Sequence, residues 1–194
     1  MARGRPSKKQ QILDTAQRLF SERGYQGTTV DLVVQRAGVS KPTVYSHFSS
    51  KQALWQAMLV QAIEASEEQR AGLDMDSACW YELILQAFHQ LAEQPRMLAI
   101  YRIMLGEPHK MEPQSRVLFA AFEGRFEAWC ERVLAQQAVT LDAEQRFILR
   151  ALCREGVLQP ALYQVPGLPL SQLGATIRRA LLPQACAKPV PTGP

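Results

Sequence analysis

Residues 37–48 read Ala37-Gly38-Val39-Ser40-Lys41-Pro42-Thr43-Val44-Tyr45-Ser46-His47-Phe48, and this stretch decides the fold. Ser40 is a favoured N-cap, because its hydroxyl can accept from a free N–H of a first helical turn. Pro42 falls in that turn, where its missing N–H costs nothing. The spacing predicts a very short helix with Val39, Val44 and Phe48 turned inward. Lys41, Thr43, Tyr45, Ser46 and His47 are left outward or at its edges. Gly38 can supply the positive φ of a tight turn just before it. A helix this short and this polar builds no core, and it suits presentation to something outside the molecule.

Upstream, Ile12, Leu13, Ala16, Leu19 and Phe20 form one apolar stripe at helical spacing over Lys8–Arg23. Gly24 is expected to stop that helix at its C′ position. Gln26–Thr29 makes a short turn. Thr28 or Thr29 can cap a second helix that holds Leu32, Val33, Val34 and Ala37, with Asp31 near its positive end. Three short helices with a tight turn before the third describe a helix-turn-helix. The N-terminal residues of such a third helix meet base edges in the major groove of DNA.

Downstream, Ser49-Ser50 breaks the third helix and caps a long fourth one over Lys51–Arg70, with Leu54, Met58, Leu59 and Ile63 as apolar positions. Residues 71–77 read as a loop. Later helices are expected near 78–93, 96–105, 114–138, 142–158 and 170–182. Pro95, Pro108, Pro113, Pro160, Pro166 and Pro169 sit at or near their junctions. No segment alternates with period 2, so the expected fold class is all-α without a sheet. The expected organisation is a flexible basic arm (1–7), a helix-turn-helix head (8–54), a second helical domain (55–186) and a disordered, proline-rich tail (187–194).

Charge follows the same division. Residues 1–51 hold nine Lys/Arg against three acids (Asp14, Glu22, Asp31), a net of +6. The remainder holds 13 bases against 15 acids, a net of −2. The first quarter wants a polyanion and the rest does not. A chain of 194 residues, 47% apolar and 21% charged, can bury a sizeable core. No apolar run approaches the ~18 residues that cross a bilayer, and the polar, basic start is unlike a signal peptide; a cytoplasmic location without membrane attachment is expected. Cys79, Cys130, Cys153 and Cys186 form no CxxC pair and no zinc spacing. They read as reduced thiols, with core packing ahead of a redox switch. No P-loop, GxGxxG, HExxH or GxSxG is present, so neither an enzyme nor a cofactor or metal site is expected.

The stretch from Ile12-Leu13 through Phe20, Gly24-Tyr25, Thr28-Thr29-Val30, Ala37-Gly38-Val39-Ser40, Thr43-Val44-Tyr45 and His47-Phe48 to Ser50-Lys51 and Leu54 resembles the TetR family of one-component transcriptional regulators. The resemblance spans about fifty residues without a gap and weakens after about residue 60. It implies that Thr29 touches phosphate through its hydroxyl and backbone N–H. It also implies that Lys41, Pro42 and Thr43 occupy base-reading positions, and that Tyr45, His47 and Lys51 anchor phosphates. Ser40 and Ser46 complete that DNA-facing set. Lys41-Pro42 and Ser46 depart from the family's commoner residues, which bears on which operator is read. Lys41 could donate to guanine O6/N7, and the Thr43 methyl could meet a thymine methyl. Arg3-Gly4-Arg5-Pro6 is similar to an AT-hook core, in which Arg3 and Arg5 would enter an A·T minor groove; the alternative is a solvated basic tail.

For the second domain the resemblance implies effector binding and dimerisation. Trp80, Phe88, Tyr101, Met104, Phe119, Phe122, Phe126 and Trp129 are candidate ligand-binding residues for an apolar or aromatic effector, with core packing as the alternative for any one of them. His89, Arg102, His109, Glu107 and Glu123 are the polar groups that could orient it. Phe147, Ile148, Ala151 and Leu152, with Leu173, Ile177, Ala180 and Leu181, could form a four-helix interface between two copies. The expected function is a homodimeric regulator of a palindromic double-stranded operator, a repressor released by a small effector. A ligand-dependent activator and a non-specific architectural DNA binder are the alternatives.

Overall fold

The computed structural model describes residues 7–75 and 78–182, and every regular element among them is helical. The arm residues Arg3 and Arg5, Cys186 and the tail lie outside the described residues. Helix α1 (Lys8–Gly27) opens on Ser7, whose Oγ accepts from Gln10 N at 3.1 Å. Gly24 breaks it with φ 69° and ψ −176°, but a further turn follows, so the helix runs past the expected stop. Helix α2 (Val30–Ala37) is capped by Thr29 and ends on Gly38 in the left-handed region, with φ 62° and ψ 37°. The other candidate cap, Thr28, is buried and donates instead to Gly24 O at 2.9 Å. Helix α3 spans Lys41–His47, and helix α4 spans Lys51–Ala71 behind Ser50, whose Oγ accepts from Ala53 N at 3.0 Å. Then come α5 (Trp80–Ala92), α6 (Pro95–Gly106), a 3-10 turn (Pro108–Lys110), α7 (Pro113–Gln136), α8 (Ala143–Cys153), a π turn (Arg154–Leu158), α9 (Gln159–Tyr163) and α10 (Leu170–Leu181).

The chain divides into two compact units. The first runs to Gly72 and takes in Gln94–Glu127 as well. Its core holds the predicted stripe of α1, all of it buried, together with Val33, Val44, Phe48, Leu54 and Trp55. Phe20 stacks on Tyr25 at 5.8 Å, and Trp55 meets both rings edge-on at 5.3 and 5.8 Å, a geometry that aromatic quadrupoles favour. Helix α6 packs on α1 and α4, with Ile100 fully buried.

The second unit is Leu73–Glu93 and the chain from Ala128 onward. Asp142 and Gln145 form a reciprocal capping box that starts α8. The expected stop at Pro160 does not occur. A π turn intervenes, in which Gln159 N donates five residues back to Arg154 O. Proline normally clashes with the carbonyl four residues earlier, and the wider register relieves that clash. Leu173, Ile177 and Leu181, expected at a subunit interface, are buried as α10 packs on α5 and α8. Ala180 and Phe147 are exposed, Phe147 at 68%. Cys153 is buried, and burial pushes its thiol pKa well above the usual range. Cys79, in contrast to a core role, is exposed at the start of α5.

Two glycines of the first unit should respond in opposite senses to alanine. Gly24 has a backbone conformation that belongs almost only to glycine, and an added Cβ would lie 2.9 Å from Glu107 Oε1. Gly24→Ala should lower stability by about 1–3 kcal/mol in urea unfolding. Gly124 sits inside α7 with open space around it, so Gly124→Ala should be neutral or stabilise by up to ~1 kcal/mol.

Candidate nucleic-acid interface

Three hydroxyl caps shape the face built by α2, α3 and the start of α4. Thr29 Oγ1 accepts from Leu32 N at 3.2 Å, Ser40 Oγ from Thr43 N at 3.2 Å, and Ser50 Oγ from Ala53 N at 3.0 Å. Each fixes the direction in which its helix leaves the preceding loop. Inside α3 only Val44 is buried, with Phe48 buried at its end. Those two side chains tack the short helix to the core. Ser40, Lys41, Pro42, Tyr45, Ser46 and His47 are exposed and Thr43 is half-buried, so the face expected to point outward does so. Val39, expected inward, is only half-buried.

Several of these groups are already engaged. Ser40 Oγ and Thr43 Oγ1 share a hydrogen bond of 2.7 Å, and Ser46 Oγ donates to Thr43 O at 2.9 Å. Lys41 Nζ lies 2.7 Å from Asp31 Oδ1 across the turn, and this partner raises the Lys41 pKa. Lys51 is half-buried, its Nζ 4.2 Å from the centre of the Tyr25 ring. Burial lowers its pKa, with Glu107 pulling the other way. A face of hydroxyls, one imidazole and lysine cations, built around the capped starts of three helices, offers donors of the kind phosphate oxygens accept.

The sequence profile described as "Bacterial regulatory proteins, tetR family" matches residues 12–58, which are α1 to the first two turns of α4. Residues 12–58 are thus similar to the DNA-binding head of the tetR family. Among its relatives are the HTH-type transcriptional activator FasR of Mycolicibacterium smegmatis, 31% identical over 57% of this chain and 51% of FasR. The HTH-type transcriptional regulator TtgR of Pseudomonas putida is 34% identical over 53% of this chain and 50% of TtgR. The chain thus spans about half the length of the curated relatives it matches. Among solved structures, AibR in complex with isovaleryl coenzyme A and operator DNA superposes with a TM-score of 0.65 at 20% identity, over 92% of this chain and all of that one. That likeness establishes the fold.

The head is tied to the rest of its unit by polar groups that sequence reasoning missed. Glu107, after α6, accepts from Tyr25 N at 3.2 Å and Gln26 N at 3.3 Å, and pairs with Lys110 at 3.5 Å. Tyr25 Oη donates to Gln52 Oε1 at 2.5 Å, and Gln52 Nε2 donates to Ser115 Oγ at 2.6 Å. The Tyr25 pKa is raised by burial first and by Glu112 and Glu107 next. Through these bonds the Glu107 carboxylate latches the head. A Glu at that position carries no sequence signal that distinguishes a latch from a solvated acid.

The ligand candidates divide between the units. Tyr101, Met104, Phe119, Phe122 and Phe126 belong to the first; Trp80, Phe88 and Trp129 belong to the second. In the first, Tyr101, Phe119, Phe122 and Phe126 pack on one another at centroid distances of 5.2–6.4 Å, and Tyr101 Oη donates to Glu123. The Arg70 guanidinium, unforeseen in the sequence, is buried there 4.9 Å from the Phe126 ring, with Nη1 donating to Ser66 Oγ at 2.8 Å. His89 lies 3.4 Å from Glu93 in the second unit, and His109 is exposed. Two open hollows of the second unit, about 780 and 420 Å³, are lined by none of the eight candidates.

Removing the latch should loosen the head. Glu107→Ala loses two hydrogen bonds to a charged acceptor and should destabilise by about 1.5–3 kcal/mol in urea unfolding. Glu107→Gln keeps one acceptor oxygen and should lose less.

Proposed function

We propose that this chain is a sequence-specific DNA-binding transcriptional regulator, a repressor that leaves a palindromic operator when a small apolar or aromatic effector binds. The observation that carries this reading is the outward face of α3, held by Val44 and Phe48 and flanked by Tyr45, His47 and Lys51. In this reading Lys41, Pro42 and Thr43 meet base edges, with Ser40 and Ser46 beside them. Thr29, Tyr45, His47 and Lys51 hold phosphates. Two copies read the two halves of the site, because one short helix spans only a few base pairs. The exposed Phe147 of α8, beside half-buried Ile148, Ala151 and Leu152, supports pairing of two second units.

The effector belongs among Tyr101, Met104, Phe119, Phe122 and Phe126 of the first unit, with Trp80, Phe88 and Trp129 as the second unit's candidates. Release needs the ligand to favour one head spacing over another. Any shift of α6 acts on α1 through Glu107, and any shift of α7 acts on α4 through Ser115 and Gln52. If the favoured spacing misses successive grooves about 34 Å apart, affinity falls 5–150-fold for a coupling of about 1–3 kcal/mol. An activator would share every one of these DNA contacts, and FasR is described as one. A reporter behind the chain's own operator separates the two: expression should rise on deletion of the repressor and would fall on deletion of an activator.

Tyr45→Phe should weaken binding to all duplexes alike, whereas Thr43→Ala should change preference among sequences. Gel-shift titrations on a randomised pool check this, and identical behaviour of the two variants contradicts the assignment. If a dimer neutralises about eight phosphates, log K should fall with log salt at a slope near −7; a flat response excludes the electrostatic picture.

A further inference from the structure

We infer that Asp31 is a specificity-determining residue of this head: it takes the Lys41 cation out of phosphate binding and holds it toward a base edge. The inference rests on the DNA-binding reading above. Asp31 is the one acid between Glu22 and Glu64, in the most cationic part of the chain. It stands in the first turn of α2, one of the helices that build the candidate interface. There an unpaired carboxylate would repel phosphate. It does not stand unpaired, because Lys41 Nζ lies 2.7 Å from it across the turn. Both side chains are more than half exposed, and exposed pairs of this kind contribute little to stability. The pair is better explained by what it does to Lys41.

A lysine alone is a mobile point charge, and beside a duplex it falls on the nearest phosphate. Lys41 is the first residue of α3, with Pro42 stiffening the backbone after it. Asp31 occupies one of its three N–H donors and biases the ammonium toward the start of α2. Two donors remain, which is what guanine O6 and N7 accept. Ser40 and Thr43 spend hydroxyl capacity on each other and on the helix cap, so of the residues assigned to base edges Lys41 keeps the most N–H donors to give. A Lys–Asp pair is also neutral overall, so it releases no counterion on random DNA and still offers hydrogen bonds to the right base.

The test uses the full-length chain with two probes: a random-sequence duplex, and the duplex that the unaltered chain enriches from a randomised pool. Asp31→Asn and Asp31→Ala should bind the random duplex several-fold more tightly. Their log K against log salt should steepen by about 0.9 per head, or about 2 per dimer. The ratio of enriched to random affinity should fall. Lys41→Ala in the unaltered background should flatten preference at a guanine and, by leaving Asp31 unpaired, weaken random-duplex binding. In the Asp31→Ala background it should remove the added slope. Lys41→Ala leaves Asp31 in place, so this arm stands even if the Asp31 variants melt early. An unchanged slope and ratio in Asp31→Ala, an added slope that survives Lys41→Ala in that background, or guanine preference retained in Lys41→Ala overturns the inference. Salt-insensitive or absent binding of the unaltered chain to every duplex refutes the DNA-binding reading and takes this inference with it.

Discussion

The carboxylate of Glu107 holds α1 at the point where Gly24 breaks it. At the break the N–H groups of Tyr25 and Gln26 have a charged acceptor, and hydrogen bonds to charged groups are worth more than neutral ones. Both point at Glu107, and the missing Cβ of Gly24 leaves room for its oxygens. The turn so fixed sets Tyr25 against Phe20 and Trp55, and places its hydroxyl on Gln52. The start of α4, the end of α1 and the segment after α6 are thereby locked together. Helices α2 and α3 hang between these fixed points.

Within that frame α3 needs little stabilisation of its own. A seven-residue helix is too short to persist alone. Ser40 caps it, Gly38 turns the chain into it, and Val44 and Phe48 pin it down. Most of the remaining side chains of α3 face outward, and the small contact area makes it one of the less protected parts of the head.

Legibility in the sequence followed the range of the interactions. The caps at Thr29, Ser40 and Ser50, the left-handed Gly38 and the stripe of α1 are local features, and they are found where the sequence puts them. Two local rules failed because tertiary packing overrode them. Gly24 bends the helix and lets one more turn follow, since Glu107 caps that turn. Pro160 is absorbed by a π turn where a helix end was expected. The stripe of α10 marks a buried face correctly but not its partner, because apolar periodicity cannot tell packing within a subunit from packing between two. Glu107, Gln52, Ser115, Arg70 and the Asp31–Lys41 pair act across long separations or across a turn, and nothing in their sequence neighbourhoods distinguishes them from ordinary polar positions.

The account stands on α3 meeting duplex DNA through the residues it exposes. Photo-crosslinking of the full-length chain to a halogen-substituted duplex, followed by mass-spectrometric mapping, tests this directly. Crosslinks should fall on the peptide that carries Tyr45 and His47, and should vanish when unlabelled enriched duplex is added in excess. Crosslinks confined to residues 80–182, or their persistence under that competition, would contradict it.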